Sequence, residues 1–216
     1  MKKIMLIYSC LIILSCSVNK NINLLFENES IILKRGDLTN EERNIMNDFL
    51  NLELKKEKYK NYRDYPICIL NEGSNRPSPL IIYKYCYDER NLKIRSSTNK
   101  DWILDEYQIN NIKDTINKNK YIWRKTDFKN LNVSFVNYNE LNDAINKNNY
   151  LKYSKKLIIK LSIPLIINKN NALIAFSSKD GWFGYSTIDR FVTLLKKNKD
   201  GNWEIDSYYY DPNSSW

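Results

Sequence analysis

Gly181-Trp182-Phe183-Gly184-Tyr185 combines residue types and spacing suited to recognising a ligand. Two glycines flank large rings, so a short loop can offer those rings to a sugar or a peptide. Lys179 and Arg190 are close by in sequence and suit either pairing with an acidic ligand or simple solvation. Tyr208, Tyr209, Tyr210 and Trp216 supply a neighbouring platform, although only one of two adjacent strand tyrosines can face inward, and such rings also serve as cross-strand packing. The candidate binding residues are therefore Trp182, Phe183, Tyr185 and Arg190, with ordinary packing as the competing reading. Catalytic chemistry has less to build on. With 0 His in 216 residues the commonest general base is missing, and with it the Ser–His and Cys–His nucleophile pairs and most zinc sites. No Gly-rich phosphate loop or dinucleotide fingerprint occurs. Residues 139–143 and 206–211 lack the spacing of a calcium loop. No catalytic residue, cofactor or metal ligand is assigned, and a glycosidase-type carboxylate pair stays open because the fold decides which acids converge.

A second kind of chemistry belongs to Cys16. Lys2 and Lys3 precede an apolar stretch over residues 4–14, and Ser15 stands before the cysteine. That stretch is too short to span hydrocarbon, which takes about 20 apolar residues. Ile13-Leu14-Ser15-Cys16 resembles the bacterial lipobox, which implies acylation of the Cys16 thiol and cleavage just before it. The alternative is an ordinary secretory leader cut elsewhere. Acyl chains contribute roughly 0.8 kcal/mol per buried methylene, so two or three of them hold a protein to a membrane almost permanently. The expected organisation is a signal peptide over residues 1–15, a lipidated Cys16 with a polar tether through residue 30, and a single α+β domain over residues 31–216. Removing Lys2 and Lys3 lowers the formal charge from +9 to +7. The lysines are scattered among Asn and acidic residues, which reads as a solvated surface and not as a nucleic-acid site. After export the body keeps Cys68 and Cys86. They either pair, which the oxidising envelope permits, or stand as two buried thiols.

The remaining pattern describes the elements that carry these groups. Thr39 with Glu42 three positions on reads as a capping box, followed by a helical stripe of Ile45, Met46, Phe49, Leu50 and Leu52, with Lys55, Lys56 and Lys58 near its end. A short extended piece over residues 31–34 precedes it. Strands are expected over residues 65–70 and 131–137, a loop over 71–74, and small helices over 109–116 and 140–146. Residues 80–87 suit a strand or a short helix. Leu157, Ile159, Leu161, Ile163, Leu165 and Ile167 alternate as one strand with one buried face, which Pro164 bulges or marks as an edge. Strands over 172–178 and 191–197 follow. A hairpin turn at Lys199-Asp200-Gly201-Asn202 then leads into Trp203, Ile205, Ser207 and Tyr209 on one face. The fold class is α+β: a mostly antiparallel sheet with a C-terminal meander and a few packed helices.

Two stretches resemble a known group. Residues 38–62, with Thr39-x-x-Glu42 and Asn47-Asp48-Phe49-Leu50, are similar to the amino-terminal part of uncharacterised lipoproteins from Bacteroidota. Ser162-Ile163-Pro164-Leu165, Ala172-Leu173-Ile174 and Asp200-Gly201-Asn202-Trp203-Glu204-Ile205 are similar to their closing strands. Some members carry a Gly- and Cys-rich loop where this chain has Gly181-Trp182-Phe183-Gly184. The resemblance implies location and fold and brings no activity. Ser17, Val18 and Asn19 lack the acidic cluster linked to surface export in that phylum, which implies a periplasm-facing domain. The expected protein is a membrane-anchored, non-enzymatic lipoprotein whose partner is an envelope protein or glycan. The alternative is a carboxylate-dependent hydrolase acting on envelope or imported polymers.

Overall fold

In a computed structural model the described residues are 37–74, 79–89, 102–116, 120–147, 149, 151–181 and 186–210. They belong to one compact unit that begins at Asp37. The leader, Cys16, the tether and the extended piece at 31–34 lie outside them, as do Trp182, Phe183, Tyr185 and Trp216.

Helix α1 runs Asn40–Glu53. Thr39 Oγ1 accepts from the Glu42 amide at 3.1 Å, and the Glu42 carboxylate accepts from the Thr39 amide at 2.6 Å. The capping box therefore satisfies two amides that a helix start leaves open. Ile45, Met46, Phe49 and Leu50 are fully buried, whereas Leu52 is exposed. At about 100° per residue Leu52 falls near the edge of that stripe and Glu53 falls at its centre. Past the helix, Glu57–Tyr62 forms a 3-10 turn. Arg63 reaches back to cap the carbonyls of Lys55 and Lys56 at 2.6 and 3.3 Å.

The sheet contains β1 (Ile67–Leu70), β4 (Val133–Val136), β5 (Leu157–Leu161), β6 (Leu165–Asn168), β7 (Asn171–Asp180), β8 (Thr187–Lys197) and β9 (Trp203–Tyr210). Its order is β4-β1-β5-β7-β8-β9, with β6 also paired to β7. The pairings from β5 through β9 are antiparallel, while β1 runs parallel to both β4 and β5. The α+β class and the C-terminal run of antiparallel strands stand as the sequence indicates.

Several local expectations change. The alternating run at 157–167 is interrupted at Ser162-Ile163-Pro164 into two strands that follow the same edge of β7 in the same direction, β5 along its second half and β6 along its first, with the register offset by one residue as a bulge at Pro164 produces. Its first part is buried on both faces: Leu157, Ile159 and Leu161 enter one core and Ile158 another. Residues 72–74 form a short strand, β2 (Glu72–Ser74), antiparallel to β3 (Lys120–Ile122), where a loop was expected. The ambiguous segment is helix α2 (Pro79–Glu89). Helices α3 (Glu106–Ile116) and α4 (Tyr138–Asn146) extend the two small helices expected there. In β9 the register slips by one residue at Asp206, so Trp203 and Ile205 share a face with Tyr208, while Tyr209 turns to the other. Gly201 takes φ +83, the left-handed conformation the hairpin turn requires.

Both sheet faces are covered. The α1 face holds the largest core, including Phe49, Tyr59, Phe176, Phe191 and Trp203. On the other face α2 covers β7, β8 and β9, and α4 covers β1, β4 and β5. Cys68 belongs to the α4 core and Cys86 to the α2 core, and both are free, buried thiols. Cys86 Sγ donates to the Tyr210 carbonyl at 3.4 Å, and burial pushes the Cys68 thiol up from its ordinary range. On a non-reducing gel the mature chain should migrate the same with and without reductant, and both thiols should react with a thiol reagent only once denaturant is added. A reductant-dependent mobility shift would contradict this arrangement.

Candidate functional site

Glu53 closes α1 at the centre of its apolar stripe, and its side chain is 0 % exposed. A carboxylate placed there requires partners, because leaving a buried charge unpaired is costly. Lys56 lies 2.7 Å from Oε2 and Lys58 3.0 Å from Oε1. The Tyr208 hydroxyl, reaching over from β9, donates to Oε2 at 2.7 Å. Lys58 also pairs with Asp189 of β8, and Lys56 donates to the Tyr208 hydroxyl. The 3-10 turn then adds Tyr59, which donates to Asp189 at 2.7 Å and sits 3.3 Å from Ser178 Oγ on β7. One connected cluster thus joins the end of α1, the turn after it and three strand ends.

Its protonation states follow from these contacts. Burial alone would raise the Glu53 carboxyl, but hydrogen bonds from Lys56, Tyr208 and Lys58 outweigh it and hold the carboxyl below the ordinary glutamate range. Burial would lower Lys58, yet Asp189 and Glu53 keep its ammonium charged above the usual range. Burial, followed by carboxylate contacts, pushes the Tyr208 hydroxyl up, and burial likewise raises Tyr59, so both act as neutral donors. An ionised Glu53, paired with Lys56 and Lys58 and accepting from Tyr208, has no proton to give. A glycosidase acid needs the reverse, a carboxyl kept protonated by a raised pKa.

The same turn holds the stems of the 181–186 hairpin. A 3-10 turn places residues three apart on one face, so Tyr59 and Tyr62 line up. Tyr59 donates to Asp189 on the outgoing stem, and burial followed by the Asp180 carboxylate of the incoming stem pushes the Tyr62 hydroxyl up. Across the hairpin base the Asp180 amide donates to the Ser186 carbonyl at 2.9 Å, and the Gly181 amide to the Lys156 carbonyl at 3.1 Å. A Cβ on Gly181 would lie 2.0 Å from the Tyr153 carbonyl oxygen and 2.7 Å from that of Lys156, so only glycine fits. Trp182, Phe183 and Tyr185 lie outside the described residues, and what is described is the clamp on either side of them.

Arg190 does not join this cluster. Strand alternation places Asp189 and Phe191 on the α1 face and Arg190 on the opposite one, beside the α2 core, where it has an interaction of its own. Of the tyrosine platform, Tyr208 and Tyr210 stack at 6.0 Å with 28° between planes on the α1 face. Tyr209 instead packs with Tyr83 and Trp102. Sequence reading missed Glu53, Tyr59 and Asp189. An acid in the middle of an apolar helical stripe, and two tyrosines spaced by three just beyond it, were the available signals.

A second buried acid provides a contrast. Asp127 accepts from Arg43 Nε at 3.1 Å, the Tyr121 hydroxyl at 2.8 Å and the Arg124 amide at 2.9 Å, while Asn47 donates to its carbonyl at 2.8 Å. Burial and this carboxylate push Tyr121 up to about 12. Asp127 is completely enclosed and ties the Lys125–Asp127 turn to α1, which is a structural role. The Glu53 cluster differs because Lys56 and Lys58 remain about a third exposed.

Against family models, curated proteins and solved structures, the chain finds no match.

Two outcomes follow from this geometry. Because the folded pKa of Glu53 is depressed, its stabilising contribution is complete above the ordinary glutamate range and is lost as pH falls through its lowered native value. Glu53→Gln should therefore cost of order 1–3 kcal/mol near neutral pH, and less under acid, in denaturant titrations run across pH. A variant equally destabilised at every pH would contradict an ionised Glu53. Gly181→Ala should lower stability by roughly 1–3 kcal/mol through forced backbone displacement, read as a shift in the denaturant midpoint. An unchanged midpoint would show that the hairpin base is not clamped.

Proposed function

We propose that the chain is an exported bacterial lipoprotein, anchored to a membrane through acyl chains on Cys16 and facing the periplasm, whose α+β domain binds an envelope protein or glycan without catalysing a reaction. The charged leader, the short apolar stretch and Ser15-Cys16 support the anchor. Likeness to uncharacterised Bacteroidota lipoproteins agrees with that location. No helix among the described residues is long and apolar enough to cross a membrane.

The observation that carries the binding reading is the clamped hairpin beside an exposed lysine–tyrosine edge. The stems on either side of Trp182, Phe183 and Tyr185 are held by Tyr59 and by the Asp180 and Gly181 amides, and the adjoining surface carries Lys56, Lys58 and Tyr210. Rigid stems reduce the entropy lost when a loop engages a ligand. The hydrolase alternative draws on the convergence of Glu53 and Asp189 at Lys58. It is the weaker reading, because Glu53 is held ionised by Lys56, Tyr208 and Lys58.

Cys16→Ala should move the protein from the membrane pellet to the soluble periplasmic fraction on fractionation. Continued tight membrane association of that variant would contradict the lipid anchor.

A further inference from the structure

Helix α1 ends at Glu53, yet the sheet face it covers continues along β9 to Tyr208 and Tyr210. Beyond the helix that face carries rings and ammonium groups together. Tyr210 is 38 % exposed, and its hydroxyl has no partner among the described residues. Phe191 supports both tyrosines edge-on, at 4.8 Å from Tyr208 and 5.7 Å from Tyr210. Lys56 places its ammonium 4.1 Å from the Tyr208 ring centre. Lys58 lies 5.8 Å from the ring centre of Phe191. Each ammonium carries three N–H donors. Lys56 pairs with Glu53 and donates to Tyr208, and Lys58 pairs with Glu53 and Asp189, while both side chains stay about a third exposed and open to a further acceptor.

We propose that this edge, built from Lys56, Lys58, Tyr208 and Tyr210, is a binding site for an acidic polysaccharide whose sugar rings carry carboxylates. The inference rests on the binding reading given above and names its ligand class. The exposed Tyr210 ring, backed by Tyr208 and Phe191, offers a flat surface to the C–H face of a pyranose. The part-exposed ammonium groups suit a ring carboxylate, a charge-assisted acceptor that a neutral sugar does not offer. An acidic peptide would use the lysines and leave the ring faces idle. The two lysines already balance Glu53 and Asp189, so the site has little excess charge. Binding is accordingly modest and weakens with salt.

The test uses the purified full chain in a sugar-free detergent, titrated calorimetrically with tetragalacturonate, maltotetraose and pentaglutamate. Tetragalacturonate should bind measurably, with affinity falling as salt is raised, and tighter than either comparison ligand. Tyr210→Ala should weaken that binding about tenfold, the loss of one stacking contact, while Tyr210→Phe retains it. Tyr107→Ala, which removes an exposed tyrosine from α3 on the far side of the sheet, should leave it unchanged. Equal or tighter binding of maltotetraose, pentaglutamate binding as tight as the acidic sugar, or a Tyr210→Ala variant with full affinity would overturn the proposal. Absence of tetragalacturonate binding would overturn it as well. If Cys16→Ala still released the protein from the membrane, the anchored-binding reading would survive that result.

Discussion

A carboxylate at the centre of an apolar helical stripe is the constraint on which the domain's organisation turns. Glu53 is fully buried at the end of α1, and a buried charge without partners is costly. The chain meets this by turning immediately, in a 3-10 segment that returns Lys58 to Glu53 and brings Tyr59 to Asp189. The sheet contributes Tyr208 from its last strand. Four separate pieces of chain are thereby fixed to one another by a group that hydrophobic packing alone would have excluded. Such clusters often add little net stability over a well-packed apolar equivalent, so the one here is better understood as setting where the strand ends and the turn sit.

That placement matters because the sheet is buried on both faces. With α1 on one side and α2 and α4 on the other, there is no open sheet face at the centre of the molecule. Surfaces able to meet a partner are displaced to the places where a helix stops short of the sheet. The end of α1 is one of them, and the ends of β7 and β8, which Tyr59 ties to the turn after α1, lie in the same region. The close approach of Gly181 to the Tyr153 and Lys156 carbonyls fixes the hairpin's base from the opposite side. The Glu53 cluster is therefore at once a packing solution and the floor of the candidate site.

Local signals in the sequence were legible where a short-range rule decides the outcome. Thr39 and Glu42 mark the start of α1 because capping depends only on neighbours three apart, and Gly201 marks its hairpin because the turn needs a positive φ. Tertiary context decided the rest. Residues 80–87 are apolar nearly throughout, so period alone could not separate a buried helix from a strand. The run from Leu157 to Ile167 alternates on paper, but its first part is buried on both faces and a bulge at Pro164 interrupts it. The one-residue slip at Asp206 leaves Tyr208 and Tyr210 together, as alternation has them, but moves that pair to the face of Trp203 and Ile205 and sends Tyr209 to the other. Arg190 was grouped with the aromatic loop by proximity in sequence, and strand alternation carries it to the other face. Glu53 was visible as an acid within an apolar stripe. Its partners on β8 and β9 lie more than a hundred residues away, where no local pattern points to them.

Ionisation of Glu53 underlies both the docking of the strand ends and the case against proton-transfer chemistry at this site. Following the Glu53 side-chain carboxyl carbon by NMR in the full chain, as pH is lowered, observes that ionisation directly. A titration midpoint below the ordinary glutamate range is the result expected from pairing with Lys56, Lys58 and Tyr208. A midpoint above that range would mean that Glu53 is a protonated acid in an apolar setting, and would return the site to the hydrolase reading.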